Sequence, residues 1–347
     1  MSLSKSQNFD ENIVFIIPND KNHGAQNFFK RLFKEFPHKN KIFFRESDFK
    51  GFFSKFYFIF KTTKKPNTVL FTTVNSNVLG LLIKIFLPKI KLISRLGNTI
   101  SQELERNSLG YFKHKFFYML LSEFSDAVIF QSSLMKKDFL DFFKFNDKQS
   151  FFVIHNGVEV QEITSLNIKA KEGDSRKVIF LLVGTFKFQK GYDIFFEALK
   201  LLKPETKLKV RFIICGDGPL LDEFKKMSAS LKGLDVSFEG MVDPSLYYLG
   251  SDVYISCSRY EGFSNSIIEA LSFGLPCIVS NCPSSNEEVI SKDNGIFFQN
   301  ENPIDLASKI ELMHANFTKF NKEKIIEAFT RDFSIKNIAE EYINLIK

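Results

Sequence analysis

The sequence predicts an α/β fold made of two doubly wound parallel sheets, one in each half of the chain. Its 347 residues are enough for two α/β domains of roughly 150–180 residues, each with its own core. Short apolar runs of strand length alternate with helical patterns, an order that gives parallel sheets with helices on both faces. A polar segment at 159–177 interrupts this alternation, which places the boundary between the two halves there.

The first half begins with NIVFIIP at 12–18, a buried-strand run that is followed by a helical pattern from about Ala25 to Phe36. Five more strands alternate with four more helices. The predicted strands are Lys41–Phe44, Thr68–Thr72, Lys91–Ser94, Ala127–Gln131 and Phe151–Ile154. The predicted helices are Phe49–Lys61, Val78–Phe86, Phe112–Ser122 and Lys136–Phe143.

The polar segment contains the Gly-Asp-Ser turn typical of a linker, and a second α/β unit begins after it. The chain ends in an amphipathic helix from about Phe333 to Lys347. The predicted domains are therefore 1–165 and 166–332, followed by the final helix at 333–347. The predicted strands of the second half are 177–184, 209–216, 236–240, 253–258, 276–280 and 295–298.

The positive charge is concentrated in the first half. Residues 1–165 carry 24 Lys and Arg against 15 Asp and Glu, a net charge of +9, whereas residues 166–347 carry 23 against 25. The first half contains no zinc finger, helix-turn-helix or ribonucleoprotein motif, which argues against a nucleic-acid partner. Attraction to an anionic membrane surface fits the surplus better. The run FKGFFSKFYFIFK at 49–61 is either a membrane-docking face or the apolar side of a packed helix.

The cysteines and the N-terminal segment indicate the cytoplasm. Three of the four cysteines lie in apolar strand-like runs and no pair has metal-ligand spacing, as expected of buried thiols in a reducing compartment. The N-terminal segment lacks the features of a secretion signal. The most apolar windows, 78–87 and 115–121, are too short or too interrupted by lysine to cross a bilayer. We expect a cytoplasmic protein, free or peripheral on the inner face of the membrane. The cysteines are Cys215, Cys257, Cys277 and Cys282.

The most informative stretch, residues 253–279, reads as a buried strand, a Glu-Gly-Phe turn, a helix opening on Ser264-Asn265-Ser266, and a second strand. A helix N-terminus offers unpaired N–H donors and a positive dipole end, so the backbone from Phe263 to Ser266 suits a diphosphate. Gly262 allows the chain to approach a ligand closely.

Two carboxylates, eight positions apart, flank this helix start. Glu269, about one turn inside the helix, is placed to accept hydrogen bonds from vicinal ribose hydroxyls. Glu261, in the preceding loop, can reach hydroxyls of a group beyond the phosphates. Phosphate recognition beside hydroxyl recognition indicates a sugar-nucleotide site.

This stretch resembles the retaining GT-B glycosyltransferases of family 4, whose signature is EGFxNxxxEAxxxGxPxV. The resemblance implies two Rossmann-like domains facing a cleft, and a C-terminal helix that crosses back to the first domain. It implies transfer of a hexose or N-acetylhexosamine from a UDP- or GDP-sugar to a hydroxyl, with retained configuration. The matching positions are Glu261, Gly262, Phe263, Asn265, Glu269, Ala270, Gly274, Pro276 and Val279.

The run LLVGTFKFQKGYD at 181–193 resembles the family's strand and loop that place an arginine and a lysine on the donor diphosphate. Lys190 matches the lysine, whereas Thr185, directly after Gly184, stands at the arginine position. Lys187 is the candidate for part of the arginine's role. Lys190 and Glu261 are the predicted catalytic residues, and Lys190 with backbone amides replaces the metal that other enzymes use, so no cofactor or metal is expected.

Three further runs resemble family motifs. In ICGDGP, Gly216 and Gly218 allow a turn beside the nucleotide, and VIHNGV at 153–158 resembles the motif that ends the first domain, with the turn at Asn156-Gly157. The run at 280–290 resembles the stretch behind the donor sugar, with Glu288 at the acidic position.

Acceptor residues are expected in the first half. NHGAQNFF at 22–29 resembles a Gly-Gly-Ala-Glu/Gln motif, in which Gly24, Ala25 and Gln26 match and His23 replaces the first glycine. In SRLGNTIS at 94–101, Arg95 and Asn98 occupy the region where relatives carry a histidine; Arg95 has the alternative of capping a strand or pairing with a carboxylate.

The expected acceptor is a lipid-linked saccharide of surface polysaccharide synthesis, such as lipopolysaccharide or capsule. The alternatives are a GT-B sugar-nucleotide epimerase, for which Thr185 leaves room, and a non-catalytic scaffold that binds a nucleotide sugar. An NAD-dependent dehydrogenase is disfavoured, because NIVFIIP is followed by NDKNHGAQ rather than G-x-G-x-x-G.

Overall fold

The computed structural model describes residues 11–17, 24–37, 41–45, 47, 50–73, 76–97, 99–101, 110–160 and 177–346. The chain divides into two compact units, one comprising residues 1–157 with 335–347 and the other residues 158–334. The predicted boundary at 165/166 lies outside the described residues. The last helix belongs to the first unit, as the family resemblance implies.

The first unit contains a six-stranded parallel sheet in the order β2-β1-β3-β4-β5-β6. All six predicted strands of the first half are confirmed. The strands are β1 Asn12–Ile17, β2 Lys41–Arg45, β3 Thr68–Thr73, β4 Lys91–Arg95, β5 Ala127–Phe130 and β6 Phe151–Val153. The helices are α1 Gly24–Glu35, α2 Phe52–Thr63, α3 Asn77–Phe86, α4 Tyr111–Phe124, α5 Ser133–Phe143 and α14 Ile335–Asn344.

Helix ends differ from the predicted ones by up to three residues, and α5 shows why. The sequence pattern begins the helix at Lys136, whereas α5 begins at Ser133. The preceding Ser132 is the N-cap, and its side chain accepts a hydrogen bond from the Met135 backbone N–H at 3.1 Å. The apolar periodicity records only buried positions, so it misses a first turn that is fixed by a polar cap.

The first sheet is covered on both faces, which explains why its strands are continuous apolar runs. On β1, Ile13, Phe15 and Ile17 pack with α1 and α14. The alternate residues, Val14 and Ile16, pack on the opposite face with α2 and α3. A strand with one solvated face would instead alternate apolar and polar side chains.

The second unit contains a six-stranded parallel sheet in the order β12-β11-β10-β7-β8-β9. Its six predicted strands are also confirmed. They are β7 Val178–Val183, β8 Val210–Cys215, β9 Asp235–Gly240, β10 Val253–Ser256, β11 Cys277–Ser280 and β12 Gly295–Phe298. The helices are α6 Tyr192–Leu201, α7 Pro204–Lys209, α8 Leu221–Ala229, α9 Ser245–Gly250, α10 Asn265–Ser272, α11 Asn286–Val289, α12 Pro303–Asn316 and α13 Lys322–Phe333.

All four cysteines are free and buried, which confirms the prediction that they act as small apolar residues. Cys257 packs in the cluster on one face of the second sheet, and Cys215 and Cys277 pack on the other. Burial raises the pKa of the Cys215 thiol to about 12, so this thiol stays protonated at neutral pH.

Strand order in the second sheet reverses direction between β7 and β10, which are neighbours in its centre. The chain leaves β7 toward β8 on one side and returns through β10 toward β11 on the other. Loops that follow two such strands diverge and leave a crevice at the carboxyl ends, where open α/β sheets bind ligands. Among the residues that the structure describes, no helix has both the length and the apolar character needed to span a bilayer.

Candidate active site

The loops after β7 and β8 are held together by backbone hydrogen bonds. The Gly184 N–H donates to the Cys215 carbonyl at 3.0 Å, and the Phe186 N–H donates to the Asp217 carbonyl at 3.0 Å. Gly216 has a φ of +148°, and a Cβ there would overlap the carbonyl oxygen of Gly184. The run ICGDGP is therefore a close apposition of two strand ends, which only glycine permits at this position.

Lys190 is aimed at the crevice by a single 3-10 turn, Phe188–Lys190, and the glycine that ends it. Gly191 has a φ of +64°, and a Cβ there would overlap the carbonyl oxygen of Cys257 after β10. The turn can therefore lie directly against the β10 loop. This contact brings Lys190 to a carboxylate 71 positions along the chain.

The centre of the site is an ion pair between Lys190 Nζ and Glu261 Oε1. Ser258 Oγ donates to the same Glu261 oxygen at 2.8 Å. The Glu261 side chain is 10% exposed and that of Lys190 is 23% exposed. Because little water reaches this pair, the two charges hold each other in a fixed geometry. The two predicted catalytic residues are thus in direct contact.

Arg259 braces the loops on either side of this ion pair. Its guanidinium donates to both carboxylate oxygens of Asp193 at 2.8 and 2.6 Å, to Glu301 Oε1 at 2.7 Å and to the Phe188 carbonyl at 2.8 Å. It also lies 4.0 Å from the centre of the Phe188 ring. The hydrogen bond to Asp193 raises the pKa of Arg259. Burial raises the pKa of Asp193, but the hydrogen bond and charge of Arg259 outweigh it and the net shift is downward.

Helix α10 begins beside the ion pair and presents its first turn to the crevice. Ser264 is the N-cap with extended backbone, and its Oγ lies 3.2 Å from Ser266 Oγ. The first N–H groups of any helix have no intrahelical acceptor, so this turn offers several backbone donors next to two hydroxyls. Gly262 and Phe263 form the buried approach to the helix, and the Phe263 side chain packs in the core.

Three buried tyrosines fix the polar groups around α10 and β7. Tyr254 donates to Ser266 Oγ at 2.7 Å, and Tyr192 donates to the Gly184 carbonyl at 3.2 Å. Tyr248 donates to the Ser266 carbonyl at 3.3 Å and to Glu269 Oε2 at 3.4 Å. Burial raises the pKa of all three hydroxyls far above the ordinary value, so they act as neutral donors.

A small cavity opens at the carboxyl ends of β7 and β10. Its walls combine the Lys190 side chain with hydroxyl groups and backbone of the two strands. The lining includes Val183, Lys190, Tyr254, Ser256, Ser258 and Ser266. The wall thus presents one cation and several hydroxyl groups, next to the Glu261 carboxylate that Lys190 and Ser258 contact.

Comparison with known proteins shows what the second unit is similar to. Residues 165–328 match the family model described as glycosyl transferases group 1. The second unit is therefore similar to the group 1 glycosyl transferases.

Two curated proteins are similar to part of the chain, and one solved structure matches its fold. A Campylobacter jejuni protein, named GalNAc-alpha-(1->4)-GalNAc-alpha-(1->3)-diNAcBac-PP-undecaprenol alpha-1,4-N-acetyl-D-galactosaminyltransferase, is 32% identical over 48% of this chain and 47% of its own length. The alpha-monoglucosyldiacylglycerol synthase of Streptococcus pneumoniae is 30% identical over 64% of this chain and 52% of its own length. The chain thus spans about half the length of these relatives.

The solved structure of Anabaena HepE in complex with UDP and glucose matches the fold, with a TM-score of 0.78 and 17% identity. The match covers 96% of this chain and 98% of HepE. Together with the two parallel six-stranded sheets, this likeness confirms the predicted GT-B fold.

Within this site, the structure brings together most of the residues that the sequence singles out. Thr185 is half-buried at the end of β7, and the exposed Lys187 begins the turn that ends at Lys190. Gly218 precedes α8, and Glu288 is half-buried in the short helix α11. Their contacts with a donor stay predictions.

The sequence reasoning did not single out Arg259, Tyr248 or Tyr254, although all three organise the site. Arg259 directly precedes the Tyr-Glu-Gly-Phe run, and Tyr254 lies within a strand that is otherwise apolar. A buried tyrosine needs a hydrogen-bond partner, so a tyrosine within an apolar strand could have indicated polar groups near the end of β10. The partners of Arg259 lie 66 and 42 positions away, which sequence spacing does not show.

The acceptor residues of the first unit are placed only in part. Gly24, Ala25 and Gln26 form the first turn of α1, while His23 and Asn98 lie outside the described residues. Arg95 ends β4 with a side chain that is 1% exposed; its Nη2 donates to Asn156 Oδ1 and its guanidinium lies 4.5 Å from the centre of the Phe28 ring. The sequence alternative was that Arg95 caps a strand or pairs with a carboxylate; the observed partner is the side-chain amide of Asn156. Acceptor binding by these residues remains a prediction.

Proposed function

We propose that this chain is a retaining glycosyltransferase that moves a hexose or N-acetylhexosamine from a UDP- or GDP-sugar to a hydroxyl acceptor. The observation that carries the proposal is the ion pair of Lys190 and Glu261 beside the N-terminus of α10, with Glu269 one turn inside that helix. This arrangement offers separate partners for a diphosphate, a ribose and a sugar.

The diphosphate would bind at the first turn of α10. Backbone N–H groups and the hydroxyls of Ser264 and Ser266 supply neutral donors there, and the helix dipole favours negative charge. Glu269, oriented by Tyr248, would accept hydrogen bonds from the ribose hydroxyls. Because the tyrosine hydroxyl is neutral, its hydrogen bond orients the carboxylate and does not neutralise its charge.

Lys190 would exchange partners when the donor binds. In the structure its ammonium is paired with Glu261. A bound diphosphate offers a second anion beside the same turn, so Lys190 would bridge toward the leaving phosphate and Glu261 would accept from sugar hydroxyls. Charge that develops on the leaving group is then met by a cation already in place.

In the transfer step, the bond between the anomeric carbon and the phosphate oxygen breaks, and its electron pair stays on the nucleoside diphosphate. The acceptor hydroxyl forms the new bond on the same face of the sugar, which retains the configuration. Its proton passes to the departing phosphate oxygen. The protein's part is to position the reactants and stabilise charge. The cations and amides of the site supply this compensation, and we propose that no metal is required; turnover unchanged by EDTA would support this.

For the acceptor, we propose a lipid-linked saccharide of surface polysaccharide synthesis. The name of the Campylobacter jejuni relative specifies an undecaprenol-PP-linked saccharide, and that of the Streptococcus pneumoniae relative a diacylglycerol lipid. The HepE complex contains UDP and glucose, which supports a uridine nucleotide as the donor carrier.

Thermal melting of the whole chain against UDP, GDP, ADP, CMP and NAD tests the donor site, since a ligand that binds only the folded state raises the melting temperature. We expect a shift with UDP or GDP. Glu269→Ala should weaken that binding by about 1–3 kcal/mol, because ribose hydroxyls lose a buried acceptor. The matched control is Glu287→Ala, an exposed carboxylate of the same unit.

A shift with NAD alone, or equal binding by the Glu269 and Glu287 variants, would refute the donor assignment. Product analysis with the selected sugar nucleotide separates the alternatives. An epimer or free sugar formed without acceptor would identify the epimerase, for which Thr185 leaves room, and binding without any turnover would identify the scaffold.

A further inference from the structure

Helices α2, α3 and α4 lie side by side on one face of the first sheet, with α3 in contact with both neighbours. Their inner residues, such as Ile59 on α2, Ile83 on α3 and Leu121 on α4, are buried against the sheet. A helix packed in this way normally turns polar residues outward. These three helices do not follow that rule.

Their outward positions carry aromatic side chains. On α2, Phe53 is 85% exposed and Tyr57 is 67% exposed; on α4, Phe112 is 81% exposed and Phe116 is 58% exposed. Each pair is four residues apart, so each forms one outward stripe on its helix. Phe86 at the end of α3 is 64% exposed and lies between them in sequence and in helix order. We call these five residues the aromatic face.

The charge on α2 and α3 has one sign. Residues 51–100, which include α2 and α3, contain eight Lys and Arg and no Asp or Glu. Lys61, Lys64 and Lys65 are exposed at the end of α2, and Lys113 is exposed between the two aromatic residues of α4. Apolar rings and lysines thus share one surface, on which the acidic residues that usually balance such a patch are missing from α2 and α3.

We propose that the aromatic face docks on the surface of a bilayer that contains anionic lipid. The rings enter the boundary between headgroups and acyl chains, where aromatic side chains are stable, and the lysines remain at the level of the anionic headgroups. Exposed rings gain from leaving water, and each lysine near the surface adds electrostatic attraction. This inference stands independently of the transfer reaction.

Two other occupants fit the face less well. A second copy of the chain would bring two lysine-rich surfaces together, and like charges across an interface are unfavourable. Single-stranded nucleic acid is held in grooves lined with cations, with rings stacked along the strand. Here the rings lie on the outer surfaces of three packed helices, which suits a broad, soft surface.

Vesicle flotation tests the apolar part of the proposal. The whole chain is mixed with vesicles of phosphatidylcholine alone or of equal parts phosphatidylcholine and phosphatidylglycerol, and binding is expected only to the anionic vesicles. The variant Phe53→Ser, Phe112→Ser, Phe116→Ser should bind them more than about tenfold more weakly. The matched control changes three residues of the second unit, Leu208→Ser, Leu246→Ser and Ile304→Ser, which are 70–71% exposed. It should bind like the wild type.

The electrostatic part is tested with Lys61→Gln, Lys64→Gln, Lys65→Gln against the exposed lysines of the second unit, Lys225→Gln, Lys226→Gln, Lys232→Gln. The first set should weaken anionic-vesicle binding more than the second, and added salt should weaken wild-type binding. All substituted side chains are exposed, and an unchanged melting temperature verifies folding.

Equal flotation of the wild type and the aromatic variant, or no flotation of the wild type, would overturn the proposal. A dimer of the wild type in light scattering that the aromatic variant abolishes would assign the face to a second copy. Binding of single-stranded DNA that needs the same rings, without vesicle binding, would assign it to nucleic acid.

Discussion

The two units share a six-stranded parallel sheet but use the carboxyl ends of their strands differently. In the second unit, the loops after β7 and β10 place a lysine, two carboxylates and a helix start around one crevice. In the first unit, Arg95 at the end of β4 is buried and donates to Asn156 Oδ1, and Asn156 Nδ2 donates to Gln131 Oε1 at 3.1 Å. Similar sheets thus end in a partly exposed cluster of charged groups in one case and in a buried polar network in the other.

The largest expected effect tests the structural role in the first unit. Arg95→Ala removes a buried guanidinium from the Phe28 ring and leaves Asn156 without that donor, so the free energy of unfolding should fall by about 2–4 kcal/mol. Hydrogen exchange of β4 and β5 peptides measures the loss locally, with Arg331→Ala, 73% exposed, as the control. A stable variant that still loses turnover would instead make Arg95 an acceptor residue.

The second prediction concerns the chemistry assigned to the second unit. Lys190→Ala should lower turnover about a hundredfold, because the leaving diphosphate loses its cation. Lys187→Ala is the matched change at the start of the same turn and should cost less than about tenfold. Steady-state rates with the sugar nucleotide selected by melting measure both. If Lys190→Ala turns over normally, the diphosphate is compensated elsewhere.

A smaller effect is expected for the residue that orients Glu269. Tyr248→Phe keeps the ring in the core but removes the donor to Glu269 and to the Ser266 carbonyl. Nucleotide affinity should weaken by about 1 kcal/mol, measured by calorimetric titration with UDP or GDP. Tyr247→Phe is a neighbouring control, whose hydroxyl donates to Glu239. A larger loss of nucleotide affinity in Tyr247→Phe than in Tyr248→Phe would show that Glu269 does not depend on this hydrogen bond.

The smallest effect is a pH dependence at the brace. The pKa of Asp193 is lower in the folded chain than its ordinary value, so its stabilising contribution is present above that ordinary value and is lost as the pH falls through the folded pKa. The stability difference between wild type and Asp193→Asn should therefore shrink as the pH is lowered from about 6 toward about 3. Denaturant titrations followed by circular dichroism measure it, with the exposed Asp222→Asn as the control. A difference that grows in acid would contradict the ion pair with Arg259.

The sheets could be predicted because a strand that is covered on both faces is a continuous apolar run in the sequence, as in residues 178–183 and 253–256. The family motif also indicated Glu261, Glu269 and Lys190. Their pairing could not be predicted from spacing, because the contact between Lys190 and Glu261 depends on β7 and β10 being neighbours. Strand order is a property of the whole sheet, and no local pattern records it.

The role of Arg259 could not be predicted from the sequence for a related reason. Arg259 gains its role from Asp193 and Glu301, which come from the start of α6 and the loop after β12. Surface arginines are common, and only the convergence of three segments distinguishes this one. In the first unit, the position of Arg95 at a strand end predicts an acceptor residue, but its burial could not be foreseen from that position. Its acceptor role stays a prediction.

The ion pair of Lys190 and Glu261 has a consequence for which anions the site accepts. Because Lys190 is already paired with Glu261, the crevice attracts a free anion chiefly through the N-terminus of α10 and its neutral donors. Inorganic phosphate would have to displace the carboxylate and leave Glu261 buried without its cation, which is unfavourable. A sugar nucleotide brings hydroxyl groups that supply Glu261 with new donors as its phosphates engage Lys190. The same two residues would thereby disfavour free phosphate relative to ligands in which a sugar is joined to the anion.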